Sequence, residues 1–477
     1  MIGVDRGGRL ARRLLSVLAL LLVAGGAAEA RAASTTLQTG FMDNAVLKLP
    51  DADRNAWLGR AKSVGASVMR INLRWDDAAR VRPGPGAGTD PTWVGYDFAL
   101  VDAQVRSATA AGMSVLLNVG RAPAWAQEGG RPKSFSATTG AWKPDPYAYN
   151  EFMTAVARRY SGTVADPLVA GRTLPKVENF QIWNEPNLNL YLGPQYENGK
   201  PFAPIRWREL LNAGYAAVKA VQPGANVVAA GLAPFGDPVS ANAPRTRPVA
   251  FLRSALCLDR ALKKTCSDVT RADTFSLHPY AVDRPSRSAY DADDATVPDL
   301  SRITTVLKAA RAARTVGPKL PRTWVTEVSY DSSPPDPKGI PLATRARYIS
   351  EVMWRTWRAG AEKVIWYLMR DDAPTPSFAS TYQSGIFYRD GRRKSDARAF
   401  RFPLLVTGSN AKRMNVWLRT PSAGTTAVQV RRGGKWATVN KGKLPVNGVA
   451  SVKVPRSEVT AVRAISGKAT SYVWTVK

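Results

Sequence analysis

Two glutamates occupy matching places in the chain, each where an apolar, β-branched run gives way to a polar turn. Glu185 stands in Gln181-Ile182-Trp183-Asn184-Glu185-Pro186-Asn187, and Glu327 in Trp324-Val325-Thr326-Glu327-Val328-Ser329-Tyr330. Two such carboxyl groups facing each other across a cleft can cleave a glycosidic bond. One holds a proton for the leaving oxygen; the other, ionised, attacks the anomeric carbon or activates a water. A gap of about 5–5.5 Å gives direct attack and retention, whereas roughly 6.5–9.5 Å admits a water and gives inversion. Other chemistries have little to work with. His278 is the single histidine, and Cys257 and Cys266, in CLDRALKKTC, do not form a zinc-ligand pattern with it. The acid pairs Asp76-Asp77 and Asp371-Asp372 lack the spacing of a metal loop. No metal and no cofactor is expected.

Neither glutamate can act unless the fold brings them together. Short β-branched runs alternate with longer segments of helical period, the pattern of a parallel sheet with crossover helices. Eight strands are expected at residues 37–42, 67–73, 114–119, 177–183, 226–231, 274–277, 323–328 and 363–367. Helices are expected at 53–65, 96–111, 147–160, 206–221, 249–262, 301–316 and 342–359. Eight strands with helices between them predict a (β/α)8 barrel, whose active face is the C-terminal end of the strands. Both glutamates fall at that end. An open doubly wound sheet is the alternative, but no Gly-x-Gly-x-x-Gly turn follows the first strand.

The flanks of the chain read differently. Arg6, Arg9, Arg12 and Arg13 precede an apolar run over residues 14–28 and the small-residue stretch Ala30-Arg31-Ala32-Ala33, the order of a cleaved export signal. Residues 1–33 are therefore expected to be a signal peptide and the mature protein to be secreted, extracellular or at the cell surface, with no membrane span after cleavage. An oxidising compartment would permit Cys257 and Cys266 to pair. Beyond residue 402 helical period stops and alternation takes over, as in Thr426-Ala427-Val428-Gln429-Val430 before Gly433-Gly434. This predicts a barrel domain over 34–402 and a small β-sandwich-like module over 403–477. The module carries 13 Lys and Arg against the single acid Glu458, in a chain of formal net charge +30. Such a balance fits an anionic polysaccharide or cell-wall partner.

Trp183-Asn184-Glu185-Pro186 with Glu327 resembles the retaining glycoside hydrolases of clan A, in wording nearest to families 39 and 5. Further strand ends agree: Arg70 in Val68-Met69-Arg70-Ile71, Pro123-Ala124-Trp125, His278-Pro279-Tyr280 and Trp366. The resemblance spans about residues 37–402. It implies Glu185 as acid/base, Glu327 as nucleophile, and Asn184 as partner of the sugar 2-hydroxyl. It further implies that Arg70 steadies Glu327, Tyr280 hydrogen-bonds it, and His278 lines the subsite near Glu185. Trp366, and with it Trp125 and Trp183, would stack on the sugar. The expected partner is a carbohydrate.

Two other function classes compete. A non-catalytic carbohydrate- or cell-wall-binding protein on the same scaffold would not need both glutamates. A nucleic-acid binder would explain the basic charge, but the export signal opposes it and no nucleic-acid motif is present.

Overall fold

The computed structural model describes residues 34–135, 140–240, 243–318 and 321–476, and the expected signal segment lies outside them. Among the described residues eight parallel strands close a barrel: β1 (Gln38–Met42), β2 (Val68–Arg74), β3 (Ser114–Gly120), β4 (Asn179–Ile182), β5 (Asn226–Leu232), β6 (Thr274–Leu277), β7 (Arg322–Val328) and β8 (Ala361–Tyr367). Each strand pairs with the next, and β8 returns to β1 with Phe41 opposite Trp366. The crossover helices are α1 (Asp51–Ser63), α2 (Ala99–Ala110), α3 (Pro146–Arg159), α4 (Ala203–Val221), α5 (Pro248–Ala255), α6 (Leu300–Ala312) and α7 (Leu342–Arg358). Their starts follow local rules. Asp145 caps α3 by accepting from the Tyr147 amide, and Pro146 fills the first turn, where its missing N–H costs nothing. No helix among the described residues is long and apolar enough to cross a membrane.

α5 is shorter than the 249–262 segment read from periodicity. It ends at Ala255, Cys257 takes a left-handed conformation with φ 55°, and Cys257 is bonded to Cys266. A helix over that separation would hold the two Cα atoms about 13 Å apart. The bridge instead places them at 5.1 Å, around a tight loop in which Leu258 pairs with Lys264.

Strand alternation sorts side chains between two environments. On β2, Met69, Ile71 and Leu73 face the helices and join the main core, while Val68, Arg70 and Asn72 face the barrel axis. Val68 belongs to an interior plug with Met42, Leu116, Val228, Trp324 and Ile365. One layer nearer the mouth the interior turns polar, with Arg70 donating to Gln181 at 3.0 Å and Gln181 donating to Ser276 at 3.2 Å. The apolar layer closes the barrel from below. The polar layer above it gives the active face something to be anchored to.

After β8 the chain forms a loop and the short helix α8 (Ala397–Arg401), then changes to antiparallel strands. These are β9 (Leu404–Ser409), β10 (Arg413–Arg419), β11 (Gly424–Arg432), β12 (Lys435–Leu444), β13 (Val449–Pro455) and β14 (Ala461–Ser466). β9, β10 and β13 make one sheet; β12, β11 and β14 lie in the other. On β10, Met414, Val416 and Leu418 enter the module's own core, while Trp417 on the opposite face joins the barrel core.

Arg419 ties the module to the barrel. Fully buried, it donates to Asn447 Oδ1 at 2.8 Å, Thr39 Oγ1 at 3.1 Å and the carbonyls of Phe400, Arg401 and Gly65 at 3.2, 3.3 and 3.4 Å. Burial lowers its pKa to about 10, so the guanidinium remains charged near neutrality. The carbonyls of Phe400 and Arg401 end α8, where a cation is favoured. Arg419→Ala leaves five acceptors without this donor. It is expected to lower unfolding stability by about 3 kcal/mol, measured by chemical denaturation. A loss below about 0.5 kcal/mol, the usual size of a surface substitution, would show that the clasp contributes little.

Candidate active site

Backbone geometry aims both glutamates at the barrel mouth. β4 ends at Ile182, and the chain then turns through left-handed conformations at Trp183 (φ 72°) and Glu185 (φ 36°). Left-handed backbone costs a non-glycine residue roughly 1–2 kcal/mol, so neighbours must hold it. The Trp183 amide donates to Val119 O at 2.9 Å, and the Glu185 amide to Gly231 O at 3.0 Å. Asn187, fully buried, donates to the carbonyls of Ala233 and Thr246 and accepts from the Ala233 amide. β7 uses another device. Val325 pairs with Val364, but Val328 pairs with Trp366, so β7 advances three residues while β8 advances two. This irregularity lets Thr326 and Glu327 both turn inward while Val325 and Val328 stay in the outer core.

One carboxylate oxygen of Glu185, one of Glu327 and a ring nitrogen of His278 all lie within 4.8 Å of one another. Arg70 forms an ion pair with Glu327 Oε1 and donates to Asn184 Oδ1 at 2.7 Å; Tyr280 donates to Glu327 Oε2 at 3.1 Å. His278 Nδ1 is 2.8 Å from Glu185, and its Nε2 is 3.1 Å from the Thr326 hydroxyl. Burial pushes the Glu327 carboxyl up, but His278, the Arg70 guanidinium and hydrogen bonds from Arg70 and Tyr280 outweigh it and hold the group below its ordinary value. The Tyr280 phenol is pushed well up, first by burial and then by Glu327 and Glu185, so it stays a donor.

The glutamates open into a cleft of about 760 Å3 across the C-terminal ends of the strands. Neither a protein-family model nor a curated protein matches the sequence. Solved structures do match. A family 39 glycoside hydrolase from the gut symbiont Bacteroides cellulosilyticus WH2 superposes with a TM-score of 0.54 at 16% identity, over 88% of this chain and 81% of that one. The family 39 enzyme of Xanthomonas axonopodis pv. citri gives 0.51 at 16%, over 93% and 94%. A glucosidase from Croceicoccus marinus gives 0.50 at 14%, over 88% and 96%. The chain has the fold of these glycoside hydrolases. At such identities the likeness is one of fold, and the residues must speak for the chemistry.

The residues singled out from sequence separate into three groups. Glu185, Glu327, Asn184 and Tyr280 line the cleft. Arg70 and His278 are fully buried beneath the carboxylates, so His278 braces Glu185 rather than forming a subsite wall. The remaining two are misplaced by the sequence reading. Trp366 faces the helices, because β8 alternates and its neighbour Ile365 already faces the axis; it is fully buried and donates to Ser384 O at 2.8 Å. Trp125 packs edge-on against Trp75 at 5.7 Å and donates to Ala79 O at 2.8 Å, and it does not line the cleft. Trp183 touches the cleft, but only 1% of it is exposed and its indole donates to Tyr191 O at 2.9 Å. The aromatic wall is built instead by Tyr367, in register with Ile365, and by Tyr382, whose rings meet edge-on at 5.0 Å.

Other residues were missed. Gln181 alternates with the outward Phe180 and Ile182, a signal present in the sequence. Gly231 had no readable signal: a Cβ there would sit 2.1 Å from His278 Nε2, so only glycine admits the imidazole. The paired acids are also accounted for. Asp371 is bonded to Lys394 at 2.6 Å, and Asp76 to Arg74 at 2.7 Å.

Tyr280→Phe removes one of the hydrogen bonds that stabilise ionised Glu327, so the Glu327 pKa must rise. The acidic limb of kcat/KM for glycoside cleavage, which reports the free enzyme, is expected to move to higher pH. At the optimum kcat/KM should fall about ten- to a hundredfold, the worth of a hydrogen bond to a charged group. A limb that stays in place would exclude Tyr280 as a determinant of Glu327 ionisation.

Proposed function

We propose that this chain is a secreted, retaining β-glycoside hydrolase acting by double displacement, with Glu327 as nucleophile and Glu185 as acid/base. The observation that carries the reading is the approach of the two carboxylates to within 4.8 Å, a gap on the retaining side. Charged by Arg70 and oriented by Tyr280, Glu327 attacks the anomeric carbon while protonated Glu185 delivers its proton to the leaving oxygen. Glycosylation cancels the charge on Glu327. Glu185, now ionised and braced by His278, takes a proton from the incoming water, and hydrolysis returns both groups to their starting states. Asn184, held by Arg70 at the cleft surface, is placed to meet a sugar hydroxyl. Tyr367 and Tyr382 offer rings for the apolar face of a sugar. Export is supported by the arginine-rich start, the following apolar run, and the Cys257–Cys266 bridge, which an oxidising compartment favours.

Activity on a panel of aryl β-glycosides and polysaccharides should vanish in Glu327→Ala. In Glu185→Ala external azide should partly restore turnover and yield a β-glycosyl azide. Activity indifferent to both substitutions, or absent throughout the panel, would move the assignment to a carbohydrate-binding protein on a barrel scaffold.

The module over 403–477 adds a second part to the proposal: it holds the enzyme on an anionic polysaccharide or cell-wall surface. Lys435, Lys441 and Lys443 stand exposed along β12, an edge of its sheet. Lysines on an edge strand also discourage edge-to-edge pairing, and experiment separates the two roles. Full-length protein should bind an anionic polysaccharide in a salt-sensitive way. Lys441→Glu with Lys443→Glu should abolish that binding; if instead it binds as wild type and only aggregates more, the lysines serve the edge.

A further inference from the structure

One arm of the cleft runs outward from the glutamates over the ends of β1, β2 and β3. Its floor is a ladder of amides: Asn118 on β3 donates to Asn72 on β2 at 3.0 Å, and Asn72 donates to Asn44, just after β1, at 3.2 Å. Such a floor is neutral and suited to hydroxyl groups. The walls are not neutral. Four cations line the cleft, Lys48, Arg74, Arg80 and Arg121, against Asp77 and Asp97 apart from the two glutamates.

Pairing divides these charges. Arg74 is bonded to Asp76 at 2.7 Å and to Asp77 at 3.1 Å, and Arg121 lies 3.8 Å from Asp76. Asp97 accepts from the Ala99 amide at the start of α2. Lys48, after the short helix that follows β1, and Arg80, after the one that follows β2, are exposed, and neither has an ion-pair or side-chain hydrogen-bond partner among the described residues. Two adjacent strand-end loops thus each present an uncommitted cation to the same arm, above a floor of amides.

We propose that this arm is a subsite for an anionic sugar unit, one bearing a carboxylate or a sulfate, with Lys48 and Arg80 as the groups that select it. The inference rests on the glycoside hydrolase reading of Glu185 and Glu327 and names the substrate class: an acidic glycan rather than a neutral one. The amides hold the ring hydroxyls, and the two cations meet the substituent. Lys48 and Arg80 take no part in bond cleavage, so their contribution falls on KM.

Wild type and the Lys48→Gln/Arg80→Gln double variant are compared on matched oligosaccharides that are neutral, uronate-bearing or sulfated. Exposed ion pairs are individually weak, and two of them together are worth about tenfold. The acidic-to-neutral ratio of kcat/KM should therefore fall about tenfold in the variant, through KM. In wild type the same ratio should shrink as salt rises from about 0.02 to about 0.3 M. Whether the uronate or the sulfate arm responds identifies the anion. An equal ratio in the two proteins overturns the proposal. Calorimetric binding of the same oligosaccharides to Glu327→Gln, with and without the double substitution, separates this inference from the reading beneath it. If no glycoside is cleaved yet acidic oligosaccharides bind about tenfold more weakly to the substituted protein, the subsite stands and the hydrolase assignment falls. Equal binding with normal hydrolysis removes the subsite and leaves the hydrolase.

Discussion

The site brings a carboxylate oxygen of Glu185 and one of Glu327 to within 4.8 Å of each other. Two unit charges at about 4 Å repel by about 4 kcal/mol at an effective dielectric near 20, so a symmetric environment would not assign the proton. Asymmetry is built from below. Arg70 is fully buried, reaches Glu327 directly, and also donates to Gln181, Asn184 and the sulfur of Met42, so its position is set on several sides. Glu185 lies 2.8 Å from His278 Nδ1 and, among the described residues, has no bond to Arg70. His278 in turn fits only because β5 carries glycine at 231.

That arrangement explains much of the barrel around it. A buried guanidinium needs acceptors, and the polar layer of Gln181, Ser276 and Thr326 stands where an ordinary barrel interior would continue with aliphatic side chains. The layer below is aliphatic and aromatic, which closes the barrel to water from the other end. Two of the barrel's irregularities lie beside the carboxylates. β7 slips by a residue against β8 just before Glu327, and β4 breaks into left-handed turns just before Glu185. Each of these two departures re-aims a carboxylate, and the turn after β4 is held by the Trp183 amide on Val119 O and the Glu185 amide on Gly231 O.

The β module shares this economy of burial. Trp417 gives its ring to the barrel core while the residues on either side fill the module's own, and Arg419 carries a positive charge into the junction without a carboxylate to meet it. Helix-end carbonyls and an asparagine supply the compensation. Barrel and module are thus joined by groups that would be costly to expose. Part of the module's basic charge, Lys435, Lys441 and Lys443, lies on the edge strand β12, and the cations Lys48 and Arg80 line the cleft at the C-terminal ends of the barrel strands.

Strand and helix periodicity determined the eight strands, the seven crossover helices and the change of character near residue 402, because each is a local consequence of which side chains face a core. The placement of Glu185 and Glu327 at strand ends was legible for the same reason, and so was the outward direction of Trp366, since Ile365 beside it takes the inward position. The likeness of motif concealed that last point by assigning Trp366 to the sugar. What depends on through-space distance was decided only by the tertiary structure. It fixed the approach of the two carboxylates to within 4.8 Å, the withdrawal of His278 beneath Glu185, and the socket at Gly231. It also fixed the closure of Cys257 onto Cys266 in place of a longer helix. Linear sequence records which face a residue takes on its own element; which residue of a distant strand it then meets depends on barrel register and on bulges, and these are settled by all eight strands closing together.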